Sequence, residues 1–143
     1  MMRFELATPT RLLVSSEVDE VVAPGMEGYF GVLPGHAAFL TTLAAGELTY
    51  RQGREEQHLA VTGGFAEVSG DRVIVLAEGA ERPEEIDPER AERARQRAEQ
   101  RLAGKSPTRA SEEIDYARAA AALARALARL QVASEGSTRS RSR

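Results

Sequence analysis

Between Ala80 and Ala91 the hydrophobic period of this chain changes, and no single class of secondary structure serves both sides. Ahead of that stretch apolar residues recur about every second position, which puts them on one face of a strand. After it they recur every three or four, the spacing of a helix face. Asp87 followed by Pro88 marks a helix start. The aspartate accepts a hydrogen bond from an orphan amide, and proline at the first helical position gives up an amide that has no partner anyway.

The first part reads as strands joined by tight turns. Met2, Phe4 and Leu6 alternate with Arg3 and Glu5, and Pro9 ends the run. Further strands are predicted at residues 11–15 and 18–23, with very short ones in the glycine-punctuated stretch from Gly25 to His36. Leu48 and Tyr50 restart the alternation, Gln52-Gly53 offers a hairpin turn, and 58–61 is the return strand. Gly63-Gly64 reads as a turn, and 65–68 and 73–77 flank the Ser69-Gly70-Asp71 hairpin. The pattern predicts an antiparallel β-sandwich.

From Asp87 the first helix sets Ala91, Ala94, Ala98 and Leu102 on one face beside a row of Arg90, Arg93, Arg97 and Arg101, and Gly104 closes it. A second helix opens at Ser106-Pro107 or Ser111-Glu112-Glu113, with Tyr116, Ala120, Leu123, Leu127 and Leu130 as its seam. The expected architecture is an N-terminal sandwich over 1–85, an antiparallel helical hairpin over 86–133 and a disordered tail over 134–143, polar and without large apolar residues. A buried leucine contributes roughly 1.5–3 kcal/mol and an alanine methyl about 0.8 kcal/mol. An alanine seam therefore docks weakly, while alanine's helix propensity lets the helix persist undocked. Those two properties describe either an arm that moves as a unit or a static hairpin whose small residues allow close packing.

Charge separates along the same line. Residues 1–80 carry 5 Lys/Arg against 11 Asp/Glu, and residues 81–143 carry 14 against 11. An acidic body and a basic arm face different partners or each other. Several chemistries are excluded. There is no cysteine, so thiolate catalysis and cysteine-based zinc sites are out, and two histidines, His36 and His58, do not make a metal site. Ser15 or Ser16 with a histidine lacks the Gly-x-Ser-x-Gly context of a nucleophile elbow. Gly104-Lys105-Ser106 lacks the first glycine of a phosphate loop, since Glu99 stands there. No apolar run approaches the roughly 20 residues of a membrane span, and Met1-Met2-Arg3-Phe4-Glu5 is not a secretory start, so a cytoplasmic location is expected. The basic arm leaves two readings of its arginines beyond a solvated face: a grip on nucleic acid, or a contact with an acidic protein surface or a nucleotide's phosphates.

Several segments in order carry a resemblance: Glu27-Gly28-x-x-Gly31-Val32-Leu33-Pro34-Gly35-His36, Gly63-Gly64-Phe65-Ala66-Glu67-Val68, Val73-Ile74-Val75-Leu76-Ala77-x-x-Ala80-Glu81-Arg82, Ile86-Asp87-x-x-Arg90-Ala91 and Ile114-Asp115-Tyr116-Ala117-Arg118-Ala119. From about Phe4 to about Val132 the chain resembles the epsilon subunit of bacterial F-type ATP synthase. The resemblance implies a non-catalytic rotor subunit, peripheral at the cytoplasmic face of the cell membrane. Its sandwich would contact the gamma subunit and the c-subunit ring at Glu27, Gly28, Tyr29, Phe30, Pro34 and His36. Its helices would restrain ATP hydrolysis at the catalytic alpha/beta subunits. Some members bind ATP on the folded arm, and their pattern falls here on Glu81, Ile86, Asp87, Arg90, Ala91, Arg97, Arg125 and Arg129. A regulatory ATP is thus the one small-molecule ligand implied; no required cofactor, metal or nucleic acid is expected. A stand-alone nucleic-acid or regulatory binding module using the basic arm is the alternative.

Overall fold

The computed structural model describes residues 1–105 and 115–141, with side chains as far as Gly136. Eight strands come first: β1 (Met2–Ala7), β2 (Leu12–Val18), β3 (Glu20–Gly25), β4 (Gly28–Val32), β5 (Phe39–Gln52), β6 (Glu55–Ser69), β7 (Arg72–Ala77) and β8 (Ala80–Glu81). A 3-10 turn (Pro83–Glu85) leads to α1 (Pro88–Leu102) and α2 (Tyr116–Arg141). One ladder runs β2-β1-β7-β6-β5-β3-β4, with β8 beside β6. It folds into two layers because β5 and β6 are long enough to belong to both. Gly64–Ser69 of β6 pairs with β7, whereas Ala60 and Val61 pair with β8. On β5, Thr49 to Arg51 pair with Glu20 to Val22 of β3, and beyond a register shift Leu43 pairs with Gly25. β1 and β7 are parallel and every other neighbouring pair is antiparallel.

The alternation read from the sequence is what fills the space between the layers. Met2, Phe4 and Leu6 of β1 are at most 1% exposed, and they share one core with Val73 and Val75 of β7 and Val21, Leu48, Leu59 and Val61 of the other layer. The Phe4 and Tyr50 rings, 5.3 Å between centroids, join the layers directly.

Gly63-Gly64 is not a turn between strands. Both glycines lie inside the unbroken β6, at φ +105° and +123°, and a Cβ on Gly64 would stand 2.0 Å from the Leu76 carbonyl oxygen. Only glycine lets the strand bend from one layer to the other while β7 lies this close.

The helices are capped as their sequences require. Asp87 accepts hydrogen bonds from the amides of Glu89 (3.1 Å) and Arg90 (3.2 Å), and Asp115 accepts from Arg118 (3.0 Å). The repeated Ile-Asp-x-x-Arg-Ala spacing therefore reports two helix starts. Ser106-Pro107 and Ser111-Glu112-Glu113, the expected openings of the second helix, lie outside the described residues. The expected seam of α2 is rotated: Tyr116 is 53% and Leu127 48% exposed, while Ala119, Ala126, Ala128 and Val132 are buried. α2 packs against α1 on one side and against β5, β6 and the 3-10 turn on the other, so small residues serve two close partners at once. On α1, Arg95 is the ion-paired arginine, bonded to Glu92 and, at 2.7 Å, to Glu99. These bonds raise its pKa above the ordinary arginine value. The backbone of α2 continues to Arg141, into the stretch that the sequence assigns to a disordered tail. Once a helix is nucleated, each further residue adds a hydrogen bond for two fixed dihedrals, so a polar end can extend it.

Candidate functional site

A cleft of about 340 Å3 opens where the end of the sandwich, the start of α1 and the side of α2 converge. It is lined by Glu81, Glu85, Asp87, Arg90, Ala91, Ala94, Arg97 and Arg129. Each element places its share for a local reason. Asp87 sits at the mouth because it caps α1, and the 3.6-residue period of that helix brings Arg90, Ala91, Ala94 and Arg97 to the same side. β8 delivers Glu81, and α2 delivers Arg129 to meet it at 2.7 Å.

The electrostatics of the cleft are unequal. Its three carboxylates are already engaged: Glu81 with Arg129, Asp87 with the α1 amides, and Glu85 with Arg11 at 2.7 Å. The Arg11 hydrogen bond, with a second from the Arg82 backbone amide, holds the Glu85 carboxyl below the usual carboxylate range. The guanidinium groups of Arg90 and Arg97 have no hydrogen-bond or ion-pair partner among the described residues. Two uncommitted planar cations beside the small walls of Ala91 and Ala94 suit an anion carrying several oxygen acceptors.

Six of the eight residues assigned to ATP by resemblance meet at this cleft. Ile86 lies elsewhere: it is 7% exposed and packs with Ala60 and Val132 as a small satellite core beneath the arm. Arg125 lines a second, larger groove of about 740 Å3 with Ala121, Ala124, Thr42, Phe65 and Leu76. Glu85 and Ala94 also line the cleft without having been singled out. Ala94 was legible as the helical neighbour of Ala91; Glu85 had no signal, because its position follows from a partner far away in sequence.

The six residues assigned to gamma or the c ring gather on the β3–β4 turn, β4 itself and the loop after it. Glu27, Gly28, Tyr29 and Pro34 are exposed. Phe30 packs edge-on against Phe39, and the His36 ring lies 6.1 Å from Phe39. The Tyr29 hydroxyl accepts the Glu47 amide at 3.2 Å. Met26, Leu33 and Leu40 are also exposed there, at 64%, 53% and 72%. Such a cluster of exposed apolar side chains marks an interaction surface.

No serine–histidine hydrogen bond exists among the described residues. His58 Nδ1 is bound to the buried Glu47 at 2.5 Å, and Ser15 accepts from Arg3. Nor do the described residues contain a group of three His, Asp or Glu placed to hold a metal, or a helix long and apolar enough to cross a membrane.

A two-layer sandwich followed by a docked helical pair is a combination with a known counterpart. Residues 1–83 match the family model described as "ATP synthase, Delta/Epsilon chain, beta-sandwich domain", and residues 84–134 match "ATP synthase, Delta/Epsilon chain, long alpha-helix domain". The chain belongs to this family of ATP synthase subunits. Its relatives there are epsilon chains. The ATP synthase epsilon chain of Nitratidesulfovibrio vulgaris is 53% identical over 131 residues, covering 92% of this chain and 94% of that one. That of Geobacter metallireducens is 52% identical over 132 residues, covering 92% and 93%. Among solved structures, a chain of the Euglena gracilis mitochondrial ATP synthase OSCP/F1/c-ring assembly superposes with a TM-score of 0.76 at 25% identity, over 92% of this chain and 80% of that one. A chain of the Tetrahymena thermophila mitochondrial central stalk and c ring shares the fold at a TM-score of 0.56 and 14% identity.

Proposed function

We propose that the chain is a non-catalytic rotor subunit whose docked arm reads the nucleotide level. The sandwich would couple rotation by joining gamma to the c ring through the apolar β3–β4 end, at the cytoplasmic face of the membrane. The arm would restrain ATP hydrolysis by the alpha/beta subunits when it leaves the sandwich. ATP bound in the cleft would hold it back, because the cleft exists only while α1, α2 and the end of the sandwich are together. A ligand shifts an equilibrium by its preference for one state, and this one would bind the docked state alone.

The observation that supports this reading is the pair of guanidinium groups, Arg90 and Arg97, that have no partner among the described residues, in a cleft whose carboxylates are all engaged. A hydrogen bond to a charged group is worth about 1.5–3 kcal/mol. Isothermal calorimetry with ATP tests it: Arg90→Ala and Arg97→Ala each weaken binding by roughly ten- to a hundredfold, and Arg125→Ala, outside the cleft, weakens it by less than threefold. Absence of binding heat at millimolar ATP refutes the nucleotide role. An equal loss from Arg125→Ala refutes the cleft as the place.

A further inference from the structure

Gly136 lies two residues past the span matched by the family model, on the face of α2 that meets the 3-10 turn. A Cβ built there would stand 2.7 Å from Pro83 Cβ, a distance at which one of the two must move. Pro83 is poorly able to move. Its Cβ belongs to a closed ring, and its carbonyl accepts the Ile86 amide at 3.3 Å. The turn around it is fastened to the sandwich from two sides. The Arg82 amide donates to Glu85 (3.0 Å) while the Arg82 guanidinium donates to the Leu13 carbonyl. Arg11 of the β1–β2 connection donates to the Ala80 carbonyl (3.1 Å) and pairs with Glu85. A closed ring and these bonds hold the sandwich side of the contact in place, so the room comes from α2, and α2 provides it by lacking a side chain.

We propose that Gly136 is the latch of the arm: the missing side chain lets the end of α2 seat on the 3-10 turn, and that seat keeps the helices docked. The proposal rests on the movable-arm reading above and adds the regulatory contact. It also explains the presence of a residue that helices disfavour. Glycine inside a helix weakens it about fivefold relative to alanine, so helix formation alone selects against it at this position.

The two requirements therefore give Gly136→Ala opposite signs. Spin labels on exposed Arg54→Cys and Ala120→Cys, in a chain that otherwise has no cysteine, report the ratio of docked to released arm. Gly136→Ala lowers that ratio at least tenfold, and adding Pro83→Gly, which removes the opposing ring, restores it to within threefold. A ratio that stays constant or rises in Gly136→Ala overturns the latch, as does a failure of Pro83→Gly to restore it. Val132→Asp, which buries a charge in the satellite core, separates two kinds of failure. If it releases the arm and Gly136→Ala does not, the latch alone is wrong; if neither changes the label distance, the movable arm is wrong and the latch falls with it.

Discussion

Val132 offers the sharpest measure of how separately the arm is held. It is fully buried, but among the described residues its buried companions in the satellite core are only Ala60 and Ile86, apart from the core that unites the two sheet layers. Val132→Ala removes two methylene-sized groups at about 0.8 kcal/mol each, or about 1.6 kcal/mol, with a further cost if the void stays open. Alanine's better helix propensity, worth about 0.6 kcal/mol, acts on docked and released helix alike and cancels. Release of the arm should therefore become about fifteenfold more frequent. Amide hydrogen exchange reads this directly, since a released helix, though still formed, frays and exchanges far faster than one held by packing. Exchange in α1 and α2 should accelerate by that factor while β1, β6 and β7 keep their rates. Val61→Ala, an equal truncation at a site of 0% exposure in the main core, should instead speed exchange in the strands. If Val132→Ala accelerates strands and helices equally, the chain opens as one unit and the modular account is refuted.

Two other perturbations test the scaffold. Gly64→Ala combines a left-handed backbone with a Cβ 2.0 Å from the Leu76 oxygen, and should cost about 3 to 5 kcal/mol in urea unfolding; Gly70→Ala, at φ +58° in open space, should cost only about 1 to 2 kcal/mol. Arg11 lowers the Glu85 pKa from its ordinary 4.5, so the stability it supplies is complete above that pH and is lost as the pH falls through the lowered native value. Unfolding midpoints of the parent and Glu85→Gln, followed from about pH 6 to about pH 3, should converge toward the acid end; a constant gap would mean that the charge of Glu85 is not what matters.

The strands and caps were legible because each is set by neighbours in sequence. Met2, Phe4 and Leu6 alternate and are buried, and Asp87 before Pro88 is a cap. What the sequence did not display depends on pairing at a distance. β6 reads as two strands broken at Gly63-Gly64, since a glycine pair serves a turn or a bend equally well and only the nearness of β7 decides. The phase of α2 was lost in its alanine-rich run from Ala119 to Ala122, where small apolar residues on every side leave no stripe to orient the helix. At the cleft, the residues that α1 contributes follow from its period. That Arg129 meets Glu81 while Arg125 turns to another groove depends on the rotation of α2, which local pattern does not fix.

The length of β5 and β6 has a mechanical consequence. In a sandwich whose layers touch only through interdigitated side chains, a twisting load makes one layer slip over the other. Here two continuous polypeptide segments cross from layer to layer, so a torque applied at the β3–β4 end would reach the opposite sheet through covalent backbone and its ladder. Shear between the sheets would require stretching main chain, which gives the body the torsional stiffness of a folded plate.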